Sequence, residues 1–208
     1  MNDHYATAVH EAGHALMAVN QGCPVTNIKI GPAGEEAGAA GVCTYAGGSL
    51  KAKLWIALAG PIVSAIHDGE PLPMHYGAGG RHDFQTCISA LVEETIPAPL
   101  RASPGLPSDT DDLIDFVTNV HEGWRPPEVK GHDLRRLRKT AKRCLLTIDD
   151  AIDAVHRTAD EVRRWIAEHD WFMPRVYRLA DVVAERQVLG MEEIVRWMIK
   201  EGQQLPLD

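Results

Sequence analysis

Two histidines four residues apart, with a glutamate directly after the first, are the residues of this sequence best suited to chemistry. They are His10, Glu11 and His14, in the segment AVHEAGHAL over residues 8–16. Residues at i and i+4 lie one above the other on a helix face, so the two imidazoles can hold one cation between them. Glu11 points about a quarter turn away and can instead reach a water beside that cation. The spacing therefore predicts a metal site with a built-in general base.

A third ligand must come from farther along the chain. Glu35 and Glu36 lie in a glycine-rich turn and are poorly placed for this role. We favour Asp83, because it follows a glycine-rich segment and opens a predicted helix, with His82 as the nearest rival. Two imidazoles and a carboxylate suit zinc, and an open fourth position lowers the pKa of a bound water to roughly 7. The candidates that remain open are His67, Asp68, Glu70, His75, His82, Asp83, Glu93 and Glu94.

Helices and one β-hairpin are predicted to position these residues. Apolar residues spaced at three and four predict a helix over residues 2–21, which carries both histidines. The β-branched segments 24–30 and 42–46 predict a hairpin with a glycine-rich loop. A second helix over 50–67 is expected to be interrupted or kinked at Pro61. A loop over 69–81 follows, and further helices are expected from near Asp83 and over 108–121, 133–145, 148–169, 174–187 and 190–201.

These elements indicate a mainly α (α+β) protein with a small β-hairpin or sheet and a C-terminal helical bundle. We expect a single domain over residues 1–208. Its metal-binding catalytic part covers 1–96, a proline-rich loop covers 97–110, and a helical part covers 111–208.

Composition excludes several classes of function. The net charge of −8 argues against nucleic acid as a partner, because phosphate binding needs a basic face. Cys23, Cys43, Cys87 and Cys144 are too dispersed to indicate a disulfide framework or a cysteine-based zinc site. No signal-peptide pattern is present, and the apolar run over 54–66 is too short to span a bilayer, so we expect a cytoplasmic protein. The sequence also lacks a GxxxxGK[ST] motif, so no ATP binding through a P-loop is expected.

The chain resembles the peptidase domain of the FtsH-type, M41 zinc proteases. The similar segments are AVHEAGHAL, VTNIKI with GVCTYAGG, IALAGPIVSAIHDG, GAGGRHDFQTCISA and, near the end, YRLADVVAERQVLGMEEIVRWM. The resemblance implies a zincin-like helical peptidase domain with one Zn²⁺ per chain. It implies that His10, His14 and Asp83 are the zinc ligands and that Glu11 is the base.

The sequence departs from that family in three ways. The expected aspartate ligand stands in GRHDF instead of a Ser-Asn-Asp context. In the middle helix Pro61 follows Gly60 where the family has Gly-Arg, and the paired glutamates of that helix are missing. No ATPase motif accompanies the peptidase segment, so we expect a peptidase without its own motor.

We therefore expect a zinc-dependent endopeptidase that cuts unfolded or flexible polypeptides without ATP, either alone or with a separate unfoldase, as a monomer or small homo-oligomer. Strand 42–46 could accept a peptide at its edge, His75 and His82 are candidate oxyanion donors, and residues 34–41 could form a flap. Two alternatives stay open. One is a catalytically idle, peptidase-like binding or regulatory module. The other is a repressor-cleaving HExxH protease of another family, with a glutamate as third ligand.

Overall fold

The computed structural model describes residues 3–35, 40–72, 81–95 and 132–203. The described part is mostly helical with a small antiparallel sheet, which confirms the predicted mainly α class. The predicted proline-rich loop over 97–110, the helix over 108–121 and His75 lie outside the described residues. In chain order the elements are α1 (Asp3–Asn20), β1 (Val25–Ile30), α2 (Pro32–Glu35), β2 (Gly41–Tyr45), α3 (Leu50–Asp68), α4 (Arg81–Thr95), α5 (His132–Glu168), α6 (Phe172–Arg186), β3 (Val188–Gly190) and α7 (Met191–Gln203).

The chain divides into two compact units. One unit consists of Met1–Phe84 with Thr158–Asp208, and the other of Gln85–Arg157. The first unit contains every residue of the candidate site described below. Within it, α1 packs against α3, α6 and the sheet, so the helix that carries the HExxH motif is the centre of the unit.

Helix α1 crosses α3 at a point where both helices have small residues. A Cβ at Gly13 would lie 2.5 Å from Val63 Cγ2 and 3.1 Å from the Ala59 carbonyl oxygen. Only a hydrogen fits at this position, and the two backbones can approach closely for that reason. The glycine of the HEAGH motif is therefore required by packing, and it brings α3 beside the two histidines.

Helix α3 is continuous, so the predicted interruption at Pro61 is wrong, whereas the alternative of a kink there stays a prediction. A proline inside a helix removes one hydrogen bond and costs about 3 kcal/mol, but Pro61 and both its neighbours are buried. Ser49 caps the helix start by accepting a hydrogen bond from the Ala52 backbone N–H at 3.2 Å. Gly69 ends the helix in the left-handed conformation (φ 68°). Burial and caps together maintain the helix through its proline.

Among the described residues, α3 is a helix long and apolar enough, by length and composition, to cross a membrane. It is longer than the apolar run seen in the sequence, because the helix extends to 19 residues. Of its most apolar window, 67% is buried inside the protein, as in the core helix of a folded domain. The cytoplasmic location stays a prediction.

The sheet has three strands in the order β2–β1–β3, all antiparallel. Strands β1 and β2 form the predicted hairpin, with Ile28 opposite Cys43 and Ile30 opposite Gly41. Strand β3 is an addition that the sequence did not predict, because a strand of three residues is too short to display an alternating pattern. Strand β2 is therefore at one edge of the sheet.

The long helix α5 is predicted as two helices, over 133–145 and 148–169, but is one helix of 37 residues. No glycine or proline occurs between its ends, so nothing in the backbone chemistry stops the helix between those segments. Its second half carries an apolar stripe, of which Val155, Ala159, Val162 and Ile166 are buried.

Candidate metal centre

Three side chains that are distant in sequence converge in the first unit. The Asp83 Oδ2 atom lies 3.0 Å from His10 Nε2 and 3.6 Å from His14 Nε2, and the two Nε2 atoms are 3.0 Å apart. His10 and His14 come from consecutive turns of α1, and Asp83 from the first turn of α4. The residues form a compact potential metal-binding group with one ligand atom each.

The spacing of these atoms fits a tetrahedral cation. Zinc–nitrogen and zinc–oxygen bonds of about 2.0–2.1 Å at tetrahedral angles place neighbouring ligand atoms about 3.3 Å apart. The observed separations of 3.0, 3.0 and 3.6 Å bracket that value. Two nitrogen lone pairs at 3.0 Å repel each other, so this separation requires a shared proton or a bound cation between the two Nε2 atoms.

The other nitrogen of each imidazole is held by α3. The His14 Nδ1–H donates a hydrogen bond to the Ile56 carbonyl oxygen at 2.7 Å. With His10 in the same tautomer, its Nδ1–H donates to Ser64 Oγ at 3.2 Å. Protonated Nδ1 atoms leave both Nε2 lone pairs free and directed at the site, as a metal ligand requires.

Gly60 makes room for the His14 ring. A Cβ at this position would overlap with the Nε2, Cε1 and Cδ2 atoms of His14. Gly60 lies one helical turn after Ile56, whose carbonyl oxygen accepts from the same ring. The glycine of LAGP in α3 is thus explained by the imidazole beside it.

Charges in the metal-free site are strongly coupled. Burial opposes a charge on His14, but the Asp83 carboxylate outweighs this effect and raises the pKa of His14 to about 9. Burial likewise favours the neutral acid of Asp83, but the charges and hydrogen bonds of the two histidines hold its pKa well below the usual range. At neutral pH the metal-free pair is therefore an imidazolium and a carboxylate.

Glu11 lies next to these three side chains but does not belong to their group. It is 5% exposed, and burial raises its pKa, although the nearby His14 and His10 partly oppose this shift. Its carboxylate accepts a hydrogen bond from the Cys43 backbone N–H in β2. The same side chain approaches Gly41, where a Cβ would lie 2.7 Å from Glu11 Oε1. Glu11 is therefore a buried acid held between α1 and the start of β2.

The other open candidates do not join this group among the described residues. His67 lies with its ring 5.8 Å from the Tyr5 ring and 5.6 Å from the Tyr177 ring. Asp68, Glu70 and Glu94 are exposed. The side chains of His82 and Glu93, and all of His75, lie outside the described part, so their predicted roles stay predictions.

The sequence did not reveal the residues of α3 that contact the two imidazoles. Ser64, the Ile56 carbonyl and Gly60 carry no motif of their own, and only their spacing of four along one helix indicates a shared face. The close approach of Gly41 to Glu11 was also missed, because it depends on how β2 packs against α1.

Comparison with known proteins supports a peptidase. Residues 2–68 match the family described as M50B-like peptidases. None of the curated proteins matches the chain. The matched segment runs from α1 to the end of α3, so it includes His10, Glu11 and His14 but ends before Asp83. The match suggests a metallopeptidase-type function and implies a metal.

Proposed function

We propose that this chain is a zinc-dependent endopeptidase of the M41 type that hydrolyses unfolded or flexible polypeptides without ATP. The observation that carries the proposal is the convergence of His10 Nε2, His14 Nε2 and Asp83 Oδ2 within 3.0–3.6 Å of one another, next to the buried Glu11 carboxylate. The M50B-like match over residues 2–68 supports the peptidase class, and the order of motifs along the chain favours the M41 type.

Zinc is the cation that this donor set favours. Two imidazole nitrogens and one carboxylate oxygen provide three protein ligands, which is the number found in catalytic zinc sites that keep a fourth position open. Calcium and magnesium prefer oxygen ligands only, so two imidazoles disfavour both. When bound here, zinc would polarise the scissile carbonyl and acidify a water.

Glu11 supplies the proton transfers. Its carboxylate accepts a proton from the attacking water and returns it to the leaving amine. Burial raises the pKa of Glu11, which makes the carboxylate a stronger base than an exposed one. The Cys43 N–H fixes the orientation of this carboxylate from the β2 side.

The edge of β2 is the proposed binding surface for substrate. Strand β2 is an outer strand of the sheet, and its Cys43 N–H donates a hydrogen bond to the Glu11 carboxylate. A peptide added to this edge would pass beside Glu11, and main-chain pairing would bind it with little sequence preference. This mode suits loose or unfolded chains.

We propose a cytoplasmic monomer or small homo-oligomer that binds neither ATP nor nucleic acid and receives folded substrates only from a separate unfoldase. The lack of a P-loop motif in this sequence supports the proposal that it does not bind ATP, and the net charge of −8 supports the proposal that it does not bind nucleic acid.

Replacing Glu11 tests the proposed activity. In the zinc-loaded protein, Glu11→Gln should lower the cleavage rate of unfolded casein by about 10²–10⁴-fold, because the amide cannot take a proton. The amide oxygen still accepts from Cys43, so zinc content should not change. A matched exposed change in α5, Glu168→Gln, should cleave at the native rate. Equal activity of native protein and Glu11→Gln, or zinc binding without any cleavage by the native protein, would favour the idle binding module.

A further inference from the structure

We propose that Ser64 is a positioning residue that fixes the tautomer and orientation of His10, so that α3 holds both imidazoles of the metal centre. This inference rests on the proposed zinc site, because it concerns how the ligands of that site are oriented. Ser64 touches neither the cation nor a substrate, and acts only through His10.

The Ser64 hydroxyl is buried and forms a hydrogen bond with the His10 ring. The residue is 8% exposed, and its Oγ lies 3.2 Å from His10 Nδ1. Buried hydroxyl groups need a hydrogen-bond partner, and Ser64 is one of the few polar residues in an otherwise apolar buried stretch of α3. Its side chain is therefore explained by the histidine that it contacts.

The packing of α1 against α3 explains why one serine side chain is enough to orient the pair of histidines, since the other ring contacts the backbone. His10 and His14 are four residues apart on α1, and their partners on α3 run in the opposite order. The earlier residue, Ile56, meets His14, and the later residue, Ser64, meets His10. Gly60 lies midway between these partners and leaves the space for the His14 ring. The contacting residues of α3 are thus spaced four apart, like the two histidines of α1, so one face of each helix meets the other.

The two histidines differ in the kind of group that each ring contacts on α3: a backbone carbonyl for His14 and a side-chain hydroxyl for His10. The Ile56 carbonyl is part of the helix backbone and cannot be removed by substitution of a side chain. The Ser64 hydroxyl can be removed by substitution. Without this hydroxyl, the His10 ring has no described hydrogen-bond partner on its Nδ1 side. The ring would then adopt either tautomer, and in one of them the proton is on Nε2 and blocks coordination.

The test compares two serines of the same helix. Ser64→Ala removes the acceptor of His10, whereas Ser49→Ala removes the helix cap, whose partner is the Ala52 backbone N–H and not a histidine. Zinc affinity is measured for the full chain by competition with a chromophoric chelator, below the unfolding transition of each variant. Ser64→Ala should weaken zinc binding by about 10–100-fold, the usual effect of losing an outer-shell partner. Ser49→Ala should bind zinc as the native protein does, and Ser64→Thr, which keeps the hydroxyl, should recover most of the affinity.

A spectroscopic measurement separates positioning from mere packing. Long-range ¹H–¹⁵N spectra of the zinc-loaded native protein should give His10 a metal-bound Nε2 and a slowly exchanging Nδ1–H. In Ser64→Ala the His10 Nδ1–H should exchange faster with water, because its acceptor is missing, while the His14 pattern is unchanged. Native affinity and an unchanged His10 pattern in Ser64→Ala would overturn the positioning role and leave the zinc site intact. Absence of zinc binding by the native protein would overturn both the role and the proposed function.

Discussion

At the scale of single residues, the proposed chemistry depends on four side chains with separate tasks. His10, His14 and Asp83 direct one atom each at a common point, and Glu11 lies beside them without joining them. The HExxH spacing predicts His10, Glu11 and His14 as a group, because the motif lies within one helical segment. Asp83 is 69 residues beyond His14 (83 − 14), so the sequence alone left it among several candidates.

Removing the carboxylate of Asp83 should abolish tight zinc binding. Asp83→Asn loses a charged ligand, so the affinity should fall by more than the roughly 10–100-fold typical of an outer-shell change. The control is Glu94→Gln, an exposed change in the same helix, which should leave the zinc content unchanged. The opposite result, with zinc lost in Glu94→Gln and kept in Asp83→Asn, would favour the family in which a glutamate is the third ligand.

Zinc uptake should release protons at neutral pH. In the metal-free protein the pKa of His14 is about 9, so its ring is protonated at pH 7 and must lose that proton to coordinate. Titration calorimetry in buffers of different ionisation enthalpy should give about one proton released per zinc at pH 7 and a declining number above pH 9. Binding at pH 7 without proton release would contradict the His14–Asp83 ion pair.

The same ion pair sets a pH window for the stability of the metal-free protein. The raised pKa of His14 gives a contribution that is present below its unfolded value and is lost as the pH rises through about 9. The lowered pKa of Asp83 gives a contribution that is present above its unfolded value and is lost in acid. The full contribution therefore lies between about pH 4 and pH 6.5.

At the scale of elements, the site is a product of helix packing. Most of the element order follows from the sequence, because the long apolar repeats of α1 and α3 and the hairpin β1–β2 are local patterns. Strand β3 and the unbroken path of α3 through Pro61 are set by tertiary packing, which local patterns do not report. The need for glycine at positions 13 and 60 could not be predicted from local patterns either. It arises from the close contact between α1 and α3.

A methyl group at Gly60 should therefore damage the site. Intrinsic helix propensity alone would favour Gly60→Ala by about 1 kcal/mol. The added carbon would overlap with the His14 ring, and displacement of buried groups costs about 1–3 kcal/mol or more. We expect lower thermal stability and loss of zinc binding, measured by calorimetry and metal analysis.

Gly190 offers the matched control for this change, because a Cβ there would meet nothing within 4 Å. Gly190→Ala should retain both native stability and zinc content. If Gly60→Ala behaved in the same way, the close fit of α3 against His14 would be wrong.

At the scale of the whole molecule, the metal would link parts of the chain that are remote in sequence. His10 and His14 belong to the first helix, whereas Asp83 follows residues that the structure does not describe. The mainly α class could be predicted from composition and periodicity, and the three-stranded sheet only in part. The position of Asp83 beside the histidines depends on how the whole first unit folds. Local sequence patterns could not predict it for that reason.

Zinc should therefore stabilise the first unit against unfolding. A ligand bound only to the folded state adds about 2.7 kcal/mol when its concentration is 100 times its dissociation constant. Chelator treatment should lower the unfolding temperature of the native protein, and re-addition of zinc should restore it. Asp83→Asn should show no such difference. A native protein that unfolds at the same temperature with and without zinc would argue against a metal that joins α1 to α4.

The most direct measurement of the central claim is anomalous diffraction at the zinc absorption edge from crystals grown with zinc. We predict one peak per chain, within about 2.0–2.2 Å of His10 Nε2, His14 Nε2 and one carboxylate oxygen of Asp83, with Glu11 outside the coordination sphere. A zinc peak on the two histidines with Asp83 far from the metal, or no peak in this position at saturating zinc, would contradict the account.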